Sequence, residues 1–232
     1  MTIPALASNA TGLLETVYAT DEHVAIRARG DFVTLCPDWQ TQAAGADGVI
    51  DVLTPWTLSS ATVDFAGLGV QAGNVVLLTK PTSAFPGGGQ LFAVDSVDVG
   101  LVVLRRIGQP SGVGQPPAPA GVTAVSFRVP TMGAQIEEAS FMLNCKWSID
   151  PILQRRSPSL VYDLRVLRSA CVLKVLYDAY SSELRGPNGD FPVKLQQIAN
   201  ELREVNAQVQ IRWGPSGDSA PSTTLFGGRI SR

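Results

Sequence analysis

Apolar and polar positions along this chain fall into three patterns, each predicting a different kind of element. Residues 1–19 are small and polar with no sustained period, which predicts an extended arm. From Thr20 the period turns helical. Thr20 reads as an N-cap, with Asp21 and Glu22 in the first turn, where the helix dipole favours acids. That helix is expected to end near Gly30, and a short second one from Asp31 to Cys36 to stop at Pro37. Beyond Trp39, the stretch containing Ala and Gly up to Ile50 could hold another short helix.

Between Trp56 and Val129 the pattern changes to runs of β-branched and apolar residues separated by turn residues. Val75–Thr79 is one run. Leu91–Val97 follows the Gly87-Gly88-Gly89 turn, and Leu101–Leu104 follows a turn through Asp98 and Gly100. Val122–Val129 places Val125, Phe127 and Val129 on one face, and Val63 and Phe65 are read as the beginning of the same sheet. Such spacing predicts a small antiparallel barrel or sandwich. Residues 107–127 carry no charge and are dense in Gly and Pro. They read either as a projecting loop that meets another surface or as a plain flexible loop.

After Pro130 the period is helical again. Ile136, Ala139, Leu143 and Trp147 lie on one side of a helix capped by Thr131. Leu160, Leu164, Leu167, Cys171 and Leu176 mark a long helix ending near Leu184, and Gly186-Pro187-Asn188-Gly189 is a strong turn. Leu195, Ile198, Leu202, Val205 and Val209 then recur at spacings of three and four, which predicts a helix packed on the preceding one as a hairpin. Val209, Ile211 and Trp213 alternate with polar residues, so the chain is expected to leave that helix as a strand.

Together these elements predict an α+β chain: a helical bundle body with an inserted small antiparallel β-barrel or sandwich and extended terminal arms. The expected divisions are an N-terminal arm over 1–19, a helical body over 20–55 and 130–210, an inserted β domain over 56–129, and a C-terminal docking arm over 211–232.

Composition narrows the function classes. Hydrophobic residues make up 45% and charged residues 16% of the 232 positions. That is enough apolar surface to bury a core, although the chain is charge-poor against the usual ~25%. Aliphatic runs such as Val75–Leu78 fall far short of the ~18 residues of a membrane helix, so no membrane partner is expected. A net charge of −2 excludes a generally basic nucleic-acid binder. The charge is unevenly placed: residues 1–144 carry a net −6 and residues 145–232 a net +4. Two separately solvated faces would give this division, and so would copies that associate head to tail. The N-terminus lacks the features of a secretory signal, which predicts synthesis in the cytoplasm.

Candidate chemistry is sparse. Cys36, Cys145 and Cys171 are far apart with apolar neighbours, and read as buried thiols without zinc-ligand spacing. The one histidine, His23, sits in a first helical turn and reads as a surface or capping residue. The glycines at 67, 69 and 73 open no helix and read as a turn, not a phosphate loop. Glu137 and Glu138 are adjacent on a helix and make a poor acid/base pair. Arg105-Arg106 and Arg155-Arg156 read as surface or intersubunit salt-bridge partners. No catalytic residue, cofactor site or metal site is assigned, and the chain is expected not to be an enzyme. The candidate partner-docking residues are Ile211, Trp213, Leu225, Phe226, Arg229, Ile230 and Arg232, which set apolar and basic groups among small ones in the C-terminal arm.

Residues 20–28, Thr-Asp-Glu-His-Val-Ala-Ile-Arg-Ala, followed by Asp31-Phe32, resemble the opening of small proteins from the structural gene blocks of tailed bacteriophages. The helix with Tyr162-Asp163-Leu164-Arg165 and Cys171–Tyr177 is similar to theirs as well. The resemblance is to the head–tail connector, or adaptor, family, and covers mainly residues 20–50 and 131–210. The strand-rich segment at 56–129 departs from the all-helical members. Membership would imply a homo-oligomeric ring of about twelve copies in the virion neck. The portal protein would sit above it and a stopper or tail-completion protein below. DNA would pass through the lumen without sequence reading. Other expectations are a different phage neck, tail-completion or baseplate component, or, in another class, a carbohydrate-binding or hydrolytic accessory protein.

Overall fold

The computed structural model describes residues 6–8, 14–110, 118–149, 161, 164–183, 190–208, 211–212 and 224–225. The chain divides into two compact units, residues 20–132 and residues 1–19 together with 133–232.

The first unit is a closed barrel with two short helices. Helix α1 (Asp21–Arg27) and helix α2 (Phe32–Leu35) precede six strands: β3 (Thr41–Ile50), β4 (Thr57–Ser59), β5 (Val75–Lys80), β6 (Gln90–Asp98), β7 (Leu101–Arg106) and β8 (Val122–Pro130). Their order around the barrel is β3-β4-β7-β6-β5-β8, every neighbouring pair is antiparallel, and β8 closes back on β3. Closure leaves no open strand edge in this sheet. The period-2 pattern turns one face of each strand inward: Val76 and Leu78, Phe92 and Val94, Val102 and Leu104, Val125, Phe127 and Val129 fill the interior. Loop side chains plug the two mouths, with Phe65 and Val70 at one and Phe85 and Ala118 at the other. Phe65 meets Phe127 with ring centroids 5.3 Å apart. On the outer wall, Val75 lies opposite Ala93 and both are fully buried. Helix α1 packs against β5 there, burying Val24 and Ala25.

Among the described residues, the second unit holds three helices, α3 (Gly133–Trp147), α4 (Leu164–Ser182) and α5 (Phe191–Gln208), and two short antiparallel ribbons. One ribbon pairs β1 (Leu6–Ser8) with β2 (Leu14–Thr16); the other pairs β9 (Ile211–Arg212) with β10 (Thr224–Leu225). Helix α4 is the central element, packing on both α3 and α5 and burying Leu167, Cys171 and Leu176. The expected hairpin of α4 and α5 is present, but α5 is the shallower partner. Ile198 is buried, whereas Leu195, Leu202 and Val205 are half-buried.

The expectation of a helical bundle body carrying an inserted β domain is corrected by the closed barrel. The barrel is a core in its own right, and α1 and α2, expected in the helical body, belong to its unit. The expectation failed at Thr41–Ile50, read as a possible helix from its Ala and Gly, which is the ten-residue strand that closes the barrel. Its glycines serve close packing. A Cβ on Gly45 would stand 2.6 Å from the Phe127 ring, and one on Gly48 would stand 2.8 Å from the Val125 carbonyl oxygen. Val63 and Phe65, expected to start the sheet, lie in the loop after β4, where Phe65 plugs the barrel mouth.

Candidate docking surface

Strongly shifted ionisable groups often mark chemistry. Asp21 is buried at the start of α1. Its carboxylate accepts hydrogen bonds from Asn74 Nδ2 and from the Met132 N–H, both at 2.7 Å, and from the Thr131 hydroxyl. Burial raises its pKa from the ordinary value, and these donors oppose the rise. Nearby, the Cys36 thiol donates to the Thr131 carbonyl at 3.1 Å, and burial, with Asp21 next, pushes its pKa up to about 11. In the second unit, Tyr18 Oη donates to Asn144 Oδ1, and Ser140 Oγ lies 3.5 Å from Cys171 Sγ. Burial holds the Tyr18 phenol well above its usual range and the Cys171 thiol at about 11. Thiols protonated at neutral pH are poor nucleophiles. These groups tie elements together: Asp21 joins α1 to the turn before β5 and to the end of β8, and Tyr18 joins the N-terminal segment to α3.

Two further carboxylates act in the same way. Glu22 forms a bidentate ion pair with Arg105 and accepts from the Gly108 N–H at 3.1 Å, while Arg105 Nε also lies 3.2 Å from Asp95. Asp47 accepts from the Ser60 hydroxyl, from the Ala61 and Thr62 N–H groups and from the Thr62 hydroxyl at 2.9–3.1 Å. Desolvation opposes its ionisation, but the bonds from Ser60 and Thr62 outweigh it and lower the pKa. His23 Nδ1 accepts the Thr20 N–H at 3.1 Å, a capping role. Cys145 departs from expectation: it is exposed on α3, while Cys36 and Cys171 are buried. Among the described residues, no group of three or more His, Cys, Asp or Glu could hold a metal ion.

The surface of the barrel is more informative. Its two ends differ. Where β3 begins, the loops carry Asp38 and Asp64, and Asp98 ends β6. Where β3 finishes lie residues 51–56, residues 81–89, and residues 107–110 and 118–121 of the connection before β8. Between them they contain one ionisable side chain, Asp51. Leu53 and Val52 are 84% and 68% exposed in the first loop, and Trp56 is exposed as well. That loop is held firmly. The Leu53 N–H donates to Asp51 Oδ1 at 2.7 Å, Thr57 N–H and Oγ1 donate to the Thr54 carbonyl at 2.9 and 2.8 Å, and the Leu104 N–H donates to the Trp56 carbonyl at 2.6 Å. Pro55 is buried beneath it. A Cβ on Gly121 would stand 3.0 Å from Val52, so the first loop touches the end of the third. Phe85 and Ala118 turn inward from the other two loops and join the core. Apolar side chains held outward on a fixed loop with a single charge, Asp51, make a preorganised contact surface.

Sequence reasoning singled out the charge-free run at 107–127 but not residues 51–56. The signal there was three large apolar residues around a Thr-Pro pair, without the alternation of a strand. The C-terminal candidates divide. Ile211 and Leu225 are brought directly opposite each other in the β9–β10 ribbon. Trp213, Phe226, Arg229, Ile230 and Arg232 lie outside the described residues, as do Arg155 and Arg156.

Comparison with family models, with curated proteins and with solved structures finds no match to this chain.

Proposed function

We propose that this chain is a structural virion subunit of the head–tail connector kind. About twelve copies form a ring in the phage neck after synthesis in the host cytoplasm. The portal protein binds on one side and a stopper or tail-completion protein on the other, and DNA passes through the lumen unread. The observation that carries this reading is the uncharged barrel end, where Val52, Leu53 and Trp56 stand exposed on a loop fixed by hydrogen bonds. Large apolar side chains held rigidly in water favour coverage by another macromolecule. The net −6 and +4 of the two parts of the chain, together with the sequence resemblance, support association between copies. The C-terminal arm, with Ile211, Trp213, Leu225, Phe226, Arg229, Ile230 and Arg232, is assigned to the portal.

Mass photometry of the purified chain, alone and with portal protein, tests the proposal. Defined multimers, or a complex with portal, are expected. A chain that stays monomeric at micromolar concentration under both conditions overturns it. One observation favours a second reading, a carbohydrate-binding accessory protein: Trp39 is 80% exposed just before β3. Glycan binding lost in Trp39→Ala, by a chain that remains monomeric, would move the conclusion there.

A further inference from the structure

The second unit carries an apolar patch of its own. On α3, Phe141 and Met142 are 52% and 45% exposed, and Cys145 is exposed one turn further on. Glu137 and Glu138, both exposed, precede them by three to five residues. Residues three and four apart are neighbours on a helix surface, so two carboxylates border the apolar pair along one continuous strip. Lys146, at the far end of the strip, is tied to Asn206.

The uncharged barrel end has the opposite border. Lys80 is the last residue of β5 and Arg106 the last residue of β7, and both are exposed. Both strands finish at the end where Val52, Leu53 and Trp56 stand out. One surface is therefore apolar with two basic residues at its rim and a single acid, Asp51, in its first loop, and the other is apolar with two acids at its near border. Complementary rims steer approach and set register, while the apolar centres supply the buried contact.

We infer that the uncharged end of the barrel docks on α3 of a second copy of this chain, with Val52, Leu53 and Trp56 covering Phe141 and Met142, and Lys80 and Arg106 facing Glu137 and Glu138. This rests on the reading of the chain as a self-assembling subunit and names the joint. The two surfaces are different, so the contact is heterologous. Each copy uses its barrel end on one neighbour and its α3 on the other, and the series closes into a ring or runs on as a filament.

A heterologous joint makes a specific demand on a mixture of two variants. Leu53→Glu spoils only the barrel end, and Phe141→Glu spoils only α3. Both side chains are exposed, so each variant is expected to keep the thermal midpoint of the unmodified chain. Mass photometry of either variant alone should give single-chain mass. An equimolar mixture should give a species of twice that mass, because one intact barrel end still meets one intact α3. The charge-reversed Glu137→Lys/Glu138→Lys variant should also fall apart, and should recover pairing with Lys80→Glu/Arg106→Glu.

Unmodified protein that assembles while both single variants assemble equally well would overturn the joint and leave the self-assembly reading standing. Variants that separate but fail to pair in the mixture would also overturn it, since an isologous contact behaves that way. Unmodified protein that is monomeric overturns both. Leu53→Cys supplies an independent measurement. Under mild oxidation it should give disulfide-linked multimers through the natural Cys145, absent when Cys145→Ser is added. Linkage that persists without Cys145 would place the barrel end against some other part of the neighbour.

Discussion

The end of the barrel where β3 begins and the end where it finishes are built from the same antiparallel strands, yet they treat polar and apolar groups in opposite ways. At the first, one carboxylate is drawn into the fold: Asp21 is buried among three donors, whereas Asp38 stays exposed while it pairs with Arg128. At the second, the loops are almost without charge and large apolar side chains stand in water. The free energy of each end is realised in a different state of the chain. Satisfied buried donors stabilise the isolated chain, because leaving them unpaired costs more than their bonds contribute on average. Exposed apolar groups on a fixed loop add little until another surface covers them.

The largest expected effect breaks the first end. Asp21→Ala leaves the Asn74 side-chain amide and the Met132 N–H without their acceptor in a buried site. A loss of ~2–4 kcal/mol is expected from two unpaired buried donors, read by urea unfolding. A loss below ~0.5 kcal/mol would mean that the donors find other partners and that Asp21 does not hold this end together.

The same residue gives the comparison a pH signature. The folded pKa of Asp21 is raised above the ordinary 3.8, mainly by burial. The protonated carboxyl therefore suits the folded site better than the ionised one. The resulting contribution to stability is complete below the ordinary value and is lost as pH rises through the raised one. Asp21→Asn has no proton to titrate and should lack that decline. Unfolding midpoints measured against pH should show the difference, unmodified protein minus variant, falling as pH increases above 3.8. A difference that is flat or rises would contradict the assignment. Asp47, whose pKa is lowered by its Ser60 and Thr62 bonds, titrates in the opposite sense and is unchanged between the two proteins, so it cancels.

Legibility in the sequence follows packing. Strands β5 to β8 were readable because β-branched and apolar residues alternate with half-exposed ones on a wall buried from one side. Strand β3 was not, because its inward positions are small: Gly45 and Gly48 leave room for the Phe127 ring, which a helix-or-strand period cannot register. With the closing strand missed, the barrel looked like an insertion in a helical body. The hairpin of α4 and α5 was readable from its three-and-four spacing, but the half-burial of Leu202 was not, because spacing identifies a face without saying how deeply it is covered. Cys145 was misread for a related reason: an apolar neighbourhood in sequence describes an exposed strip as well as a buried one. Gly45→Val tests the account of β3. Its Cβ would fall 2.6 Å from the Phe127 ring, so overpacking should cost ~1–3 kcal/mol in urea unfolding. A neutral result would show that the strand has room and that the glycine has another explanation.

A substitution at Asp51 should barely change stability and still weaken assembly. Asp51 is the one ionisable side chain in the loops of the apolar end, and its Oδ1 receives the Leu53 N–H at 2.7 Å. It is exposed, so Asp51→Ala should change unfolding free energy by no more than ~0.5 kcal/mol. The bond fixes the turn that sets Leu53 outward, however, and a loosened turn must be ordered again when the loop is covered. Self-association measured by mass photometry across a dilution series should therefore weaken although the fold is intact, and Asp51→Asn, which retains a side-chain acceptor, should restore it. An Asp51→Ala protein that is substantially destabilised would mean that this loop supports the barrel as Asp21 does, and the two ends would no longer differ in kind. Full stability with unchanged assembly would mean that the covered surface does not include Leu53. Weakened assembly at full stability is the outcome that separates the ends: one aspartate bound up in folding the chain, the other in presenting it.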